Sequence, residues 1–163
     1  LNEQLLRELV QTHENIGMIQ IKISQGAKPG IGGHLPAEKV TPEIAAVRKV
    51  EPYKSVISPP QHAELLGSSP KDSILKMIDF VARVRRITGL QVGIKLAVGR
   101  LEELDMLVEA MKATGDGPDA IQIDGADGGT GAGPNLFVNY VGYGGAIETV
   151  AYLDKKLKAA GIR

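Results

Sequence analysis

The chain contains no cysteine and no tryptophan, only two phenylalanines and four tyrosines, and no net charge, because nineteen basic residues balance nineteen acidic ones. Without cysteine there is no disulfide, no thiol nucleophile and no thiolate-held cluster within its 163 residues. Balanced charge supplies no global field toward nucleic acid or an anionic membrane, and so few aromatic rings leave little for bases to stack on. No apolar run approaches the roughly 20 residues that span a bilayer, and no signal peptide stands at the start. These absences exclude nucleic-acid and membrane binding as leading functions and make the cytoplasm the expected compartment. His13, His34 and His62 match no metal-ligand spacing, so no metal is expected. The first residue is Leu rather than Met, which marks a processed or truncated start.

What remains is a chain that is 43% hydrophobic, with 20 glycines and 9 prolines gathered into a few loops. Leu1 to about Glu14 reads as an amphipathic helix carrying Leu5, Leu6, Leu9 and Val10 on one side. Met18 to Ser24 alternates Ile19, Ile21 and Ile23 against Gln20, Lys22 and Ser24, the period of a half-buried strand. Gln25 to Pro36 follows, too rich in glycine and proline to be regular. Thr41-Pro42-Glu43 opens a short helix, and Val56 to Pro60 reads as a short extended piece. Ser69-Pro70 starts a long helix that Gly89 stops. A second strand spans Gln91 to Ala97, a helix runs from Leu101 to Thr114, and a third strand covers Asp119 to Asp124. A last helix occupies about Gly145 to Ala160.

Strand alternating with helix at this spacing predicts an α/β fold with parallel strands. In each of the three strands one face is aliphatic while the other is polar or small. A doubly wound sheet is covered by helices on both faces and tends to be apolar throughout, whereas a barrel packs helices outside only. The alternation therefore favours a (β/α)8 barrel, with Lys22, Lys95 and Asp124 on one common face and Ile21, Ile94 and Ile123 against helices. A complete barrel takes eight strands and roughly 250 residues, so the whole of residues 1–163 is expected to be one incomplete barrel domain.

The third strand empties into IDGADGGTGAGP, Ile123 to Pro134, a glycine-rich loop of the kind that lines sites at the C-terminal end of a parallel sheet. As a nucleotide fingerprint it is weak, since it has neither the Lys-Ser/Thr of a P-loop nor a G-x-G-x-x-G opening a helix. Asp124 and Asp127 suit either a cation or plain solvation. Lys28 lies in the loop past the first strand and Arg48 at the exit of the next helix. Two such cations suit a dicarboxylate or keto acid, or else they are solvated surface charges. Lys95 stands mid-strand on the polar face, where a lysine needs a charge or a polar ring to meet.

Four blocks, SQGAKPGIGGHLPAEKVTPEIAAVR, VISPPQH, VGIKLA and IDGADGGTGAGP, resemble in order and spacing the FMN-binding domain of the glutamate synthase large chain. The resemblance runs from about Met18 to the C-terminus and is nearest to shorter, stand-alone glutamate-synthase-like FMN proteins. It implies a (β/α)8 barrel that binds FMN and reduces 2-iminoglutarate, formed from 2-oxoglutarate and ammonia, to glutamate. It makes Lys28, His34 and Arg48 keto-acid contacts, and it places Gln25 beside the flavin. Lys95 resembles the barrel-strand lysine at the N1/O2 edge of the flavin ring, where a cation stabilises the reduced form. Gly128, Gly129, Thr130 and Gly131 resemble the loop over the flavin, and Lys95 and Asp124 are the expected catalytic pair.

The chain also departs from the family pattern. Ile31 stands where glutamate synthases proper have an acid, and His34 replaces a glutamine of the keto-acid pocket. The cysteine segment for a 3Fe–4S cluster is absent. An N-methylglutamate-type synthase subunit is a second expectation. A third is a truncated, non-catalytic piece that folds by itself or assembles with another chain. On that expectation the 163 residues alone bind FMN weakly and self-associate, or take a partner chain to complete the barrel.

Overall fold

The computed structural model describes residues 1–28, 30–125 and 145–162. Three strands, β1 (Met18–Lys22), β4 (Gln91–Leu96) and β5 (Ala120–Ile123), form a parallel sheet in the order β1-β4-β5. Helices α3 (Pro70–Thr88) and α4 (Leu101–Thr114) follow and precede these strands, and α5 (Ala146–Ala160) ends the described chain. Helix α1 (Glu3–Thr12) lies against α3, with the Arg7 guanidinium donating to the Ile87 carbonyl at 3.2 Å. The fold is α/β with parallel strands, and among the described residues the sheet does not close into a barrel.

The helix boundaries follow from capping chemistry. The Ser69 hydroxyl accepts from Asp72 N–H at 3.1 Å with Pro70 at the first helical position, and Gly89 ends α3 in the left-handed conformation. Thr41 and Pro42 repeat the device at α2 (Pro42–Arg48), where Thr41 accepts from Ile44 N–H at 3.3 Å. Gly115 and Gly161 close α4 and α5 in the same way as Gly89.

Between β1 and α3 the chain makes an excursion, and here the structure differs from the sequence reading. His34 and Leu35, within a stretch expected to be irregular, form β2 and pair antiparallel with β3 (Val56–Ile57). The Ser58 N–H donates to Gly33 O at 2.8 Å and extends the ladder by one bond. Gly33 and Pro36 bound a strand too short to show any period of its own.

Register decides which face is buried. Ile21 stands opposite Ile94, and Ile94 opposite Ile121; Lys22 stands opposite Lys95, and Lys95 opposite Gln122. The isoleucine face packs on Met77, Val81 and Val84 of α3 and on Leu107 and Met111 of α4. Val98, Leu104, Val108 and Leu153 continue the core toward α5. Side chains such as Ile94 and Val92 are sealed from solvent, a burial worth about 1.5–3 kcal/mol each. The polar face carries Gln20, Lys22 and Gln122, all exposed, as the alternation requires.

At the N-terminal end of the sheet, Arg85 gathers the β4 and β5 connections. Its guanidinium donates to Asp116 at 2.8 Å, to the Gly117 carbonyl at 2.6 Å and to Asp119 at 3.0 Å. Asp119 in turn accepts from Val92 N–H at 2.7 Å. The hydrogen bond from Arg85 holds the Asp116 carboxyl below the ordinary aspartate value of 3.8. A folded-state pKa below the unfolded one adds stability above that value, and the gain is lost as pH falls below it. Arg85→Ala is expected to cost on the order of 1–2 kcal/mol, allowing for solvent screening of part-exposed groups. Thermal melts between pH 7 and pH 3 should show the unmodified chain losing more stability below about pH 4 than Asp116→Asn does. Parallel curves would remove Asp116 from the clamp.

Candidate functional site

The C-terminal ends of the three strands are sewn into one rim. Beyond β1, Ile23 N–H donates to Lys95 O at 2.8 Å, and the Ser24 hydroxyl accepts from Ala97 N–H at 2.8 Å. Beyond β5, Asp124 N–H donates to Leu96 O at 2.9 Å. The Asp124 side chain then crosses the sheet end. One oxygen pairs with the Lys95 ammonium at 3.3 Å, and the other accepts from Gly26 N–H at 2.9 Å. Each of these two side chains is about four-fifths buried, with exposures of 22% and 21%. That burial explains why a mid-strand lysine is tolerated: the charge is met by a carboxylate from the next strand.

Around this pair the polar face is small and flat. Gly93 puts no side chain between Gln20 and Gln122, whose amides meet across it at 2.8 Å. A Cβ on Gly93 would lie 3.2 Å from Ala120 O and 3.5 Å from the Met18 sulfur. Among the described residues no helix covers this face, and the core clusters take only the opposite side chains of the strands.

Next to the rim is a cavity of about 540 Å³. Lys22, Gln25, Lys28 and Ile31 form one wall, and Ser58 to Ala63 form the other. Lys22 donates to the Gln25 side-chain oxygen at 3.0 Å, and Lys28 N–H donates to Gln25 O at 3.1 Å. The opposite wall is held by His62, whose Nε2–H donates to the Lys22 carbonyl at 2.8 Å. Gly32 keeps the walls close, because a Cβ there would collide with the Ser58 carbonyl oxygen. Among the described residues the lining includes two lysines and a histidine and no carboxylate, a composition suited to an anion.

Of the residues singled out from the sequence, the structure brings Gln25, Lys28, Lys95 and Asp124 to this end of the sheet. His34 is exposed in β2 and Arg48 is exposed as the last residue of α2, and neither lines the cavity. Gly128, Gly129, Thr130 and Gly131 lie outside the described residues. Lys22 and His62 were not expected in the site. Lys22 was visible as a polar-face residue, whereas the His62 contact joins positions 40 apart in sequence and left no local signal. Among the described residues no group of three or more acidic or histidine side chains could hold a metal ion, and no helix is long and apolar enough to cross a membrane.

The described residues form an α/β scaffold with a parallel sheet and a cavity, lined by Lys22, Lys28 and His62, at its C-terminal end. Residues 10–163 match the family model described as the conserved region in glutamate synthase, and the chain belongs to that family. It is 39% identical over 150 residues to the glutamate synthase large subunit-like protein YerD of Bacillus subtilis (strain 168), covering 92% of this chain and 27% of the relative. It is 38% identical over 146 residues to the archaeal glutamate synthase [NADPH] of Methanocaldococcus jannaschii, covering 89% and 27%. The ferredoxin-dependent glutamate synthase of Cyanidium caldarium is 36% identical over 128 residues, 78% of this chain and 8% of that protein. The chain thus spans little more than a quarter of the length of the first two relatives.

The rim itself is open to test at Gly26. A Cβ there would lie 2.5 Å from the Asp124 carbonyl oxygen and nearer still to Gly125, all backbone atoms. Gly26→Ala is therefore expected to part the β1 and β5 loops and lower stability by about 1–3 kcal/mol. Amide exchange should speed up at Gly26 and Asp124 while α3 stays protected. An unchanged melting temperature would show that the two loops do not meet.

Proposed function

We propose that this domain belongs to an FMN-dependent oxidoreductase of the glutamate synthase type, which reduces 2-iminoglutarate, formed from 2-oxoglutarate and ammonia, to glutamate. The observation that carries the reading is the placement of Lys95 and Lys28 at one end of a sheet whose polar face no helix covers among the described residues. We read β1, β4 and β5 as adjacent strands of a (β/α)8 barrel, with the polar face inward and the helices outside. The free edges of β1 and β5 are where neighbouring strands would join, from further sequence or from a partner chain.

The residues present fit a flavin ring. The Gln20 and Gln122 amides on the exposed polar face offer donors and acceptors, and Lys95 offers a cation. Lys95 and Gln25 would hold the ring, with Gly128, Gly129, Thr130 and Gly131 expected above it. When bound, FMN supplies the two electrons that convert the C=N bond of the imine to an amine. The chain's own residues bind and orient. Lys28 draws a substrate carboxylate into the cavity, Asp124 keeps the Lys95 ammonium in place, and the Ser58–Ala63 wall narrows access for water.

Two measurements bear on this reading. In a preparation that turns over 2-oxoglutarate and ammonia, Lys28→Ala should raise KM for the keto acid by about one to two decades, the value of a charge-assisted contact of roughly 1.5–3 kcal/mol. A KM equal to that of the unmodified protein would take Lys28 out of the site. FMN titration followed by flavin fluorescence should give at least about tenfold weaker binding for Lys95→Met. Equal affinities would remove Lys95 from the cofactor contact.

A further inference from the structure

We propose that this chain self-associates head to tail, the α1–β1 flank of one copy seating against the α5–β5 flank of the next. The inference needs only the parallel sheet and its helical layer, and it is independent of the FMN and keto-acid assignments.

The order of the elements sets up the two flanks. The sheet runs β1-β4-β5, and above it α1 packs on α3, α3 on α4 and α4 on α5. Among the described residues β1 and β5 each pair on one side only, so each leaves an unpaired row of backbone groups beside an end helix. Both end helices carry apolar side chains on the side turned from their neighbour. On α1, Glu3 and Arg7 bond α3, while Leu5 and Leu9, one turn apart on the opposite side, stay 47% and 44% exposed. On α5, Tyr152 and Lys156 bond Asp105 of α4, while Ile147 and Val150 on the far side are 83% and 49% exposed.

The two flanks complement each other, which is why the partner is a second copy. β1 laid parallel beside β5 puts Ile19 and Ile21 on the helix side with Ile121 and Ile123, the arrangement that already joins β4 to β5. The same register puts Gln20 on the polar side with Gln122. The leucines of α1 then cover the apolar side chains of α5. Charge agrees with this seam. Among the described residues, exposed Glu8 on α1 has no cationic partner and exposed Lys155 on α5 has no acidic one. The chain's zero net charge sets no general repulsion against assembly. Because the flanks differ, the contact is heterologous, and every copy offers both halves of it.

Sedimentation equilibrium of the full chain over micromolar concentrations tests this. The unmodified chain should associate. Leu9→Lys, which sets a cation against Lys155, and Ile147→Glu, which sets an anion against Glu8, should each weaken association by about tenfold or more. Mixed in equal amounts, the two variants should form a dimer that neither forms alone, since each keeps the flank that the other needs. Both replaced side chains are exposed, so circular dichroism should match that of the unmodified chain. If Leu9→Lys loses helix, Glu8→Lys takes its place in the mixture. A monomer at every concentration would overturn the proposal. So would association that survives either substitution, or a mixture no more associated than its components, since each flank would then bind its own like or another kind of chain.

Discussion

The placement of Lys22, Lys95 and Asp124 depends on a sheet that, among the described residues, packs helices on one face only. Because parallel strands pair in fixed register, the choice of face is made once for all three: Ile21, Ile94 and Ile121 line up on one side, Lys22, Lys95 and Gln122 on the other. A slip of one residue in β1 or β4 would drive Lys22 or Lys95 toward Met77, Val81 and Leu107. The penalty for burying an unpaired charge there exceeds the stabilisation from any single helix contact. The hydrophobic packing of α3 and α4 is therefore what keeps the polar groups together on the far side.

The two ends of the sheet treat charge in opposite ways. At the N-terminal end, Arg85 meets Asp116 and Asp119, and each acid also accepts from a backbone N–H, Gly117 and Val92 respectively. Arg85 is thus met by two carboxylates, which is the pattern of a clamp. Helices α4 and α5 are tied similarly, with Asp105 accepting from the Tyr152 hydroxyl at 2.9 Å and pairing with Lys156 at 2.9 Å. At the C-terminal end Lys95 is paired, whereas among the described residues Lys22 and Lys28 have no acidic partner. Uncompensated positive charge beside a cavity lowers stability through self-repulsion, the opposite of what the Arg85 clamp does.

Much of this was legible in the sequence because it is written locally. The period-2 alternation of Met18–Lys22 and Gln91–Leu96 identified both strands and the face each residue takes. Ser69-Pro70, Thr41-Pro42, Gly89 and Gly115 fixed helix ends through caps and left-handed closures. What escaped is what depends on distance along the chain. The β2–β3 pairing joins two dipeptides twenty-one and more residues apart, too short to carry a period. Arg85 sits in the last turn of a helix, where a solvated cation is the ordinary expectation, and its partners lie 31 and 34 positions onward. Arg48 and His34 were drawn into the site by motif. Both are exposed and neither lines the cavity, Arg48 standing at the end of α2 and His34 in the β2–β3 ladder.

The geometry also bears on how such a site would work as a unit. Asp124 is the one side chain that touches both halves of the proposed chemistry. Its first oxygen holds Lys95, on the side read as facing the cofactor, and its second holds Gly26, in the loop that carries Lys28. With both oxygens engaged, it is better placed to orient its neighbours than to exchange a proton. Any shift of the Gln25–Lys28 loop must pull on a carboxylate already committed to Lys95, and the absence of a side chain at Gly26 is what lets that contact form at 2.9 Å. Substrate loop and strand lysine are thereby held to one another by a single short connection. Their relative position is then set by the sheet rather than by the mobility of the loop.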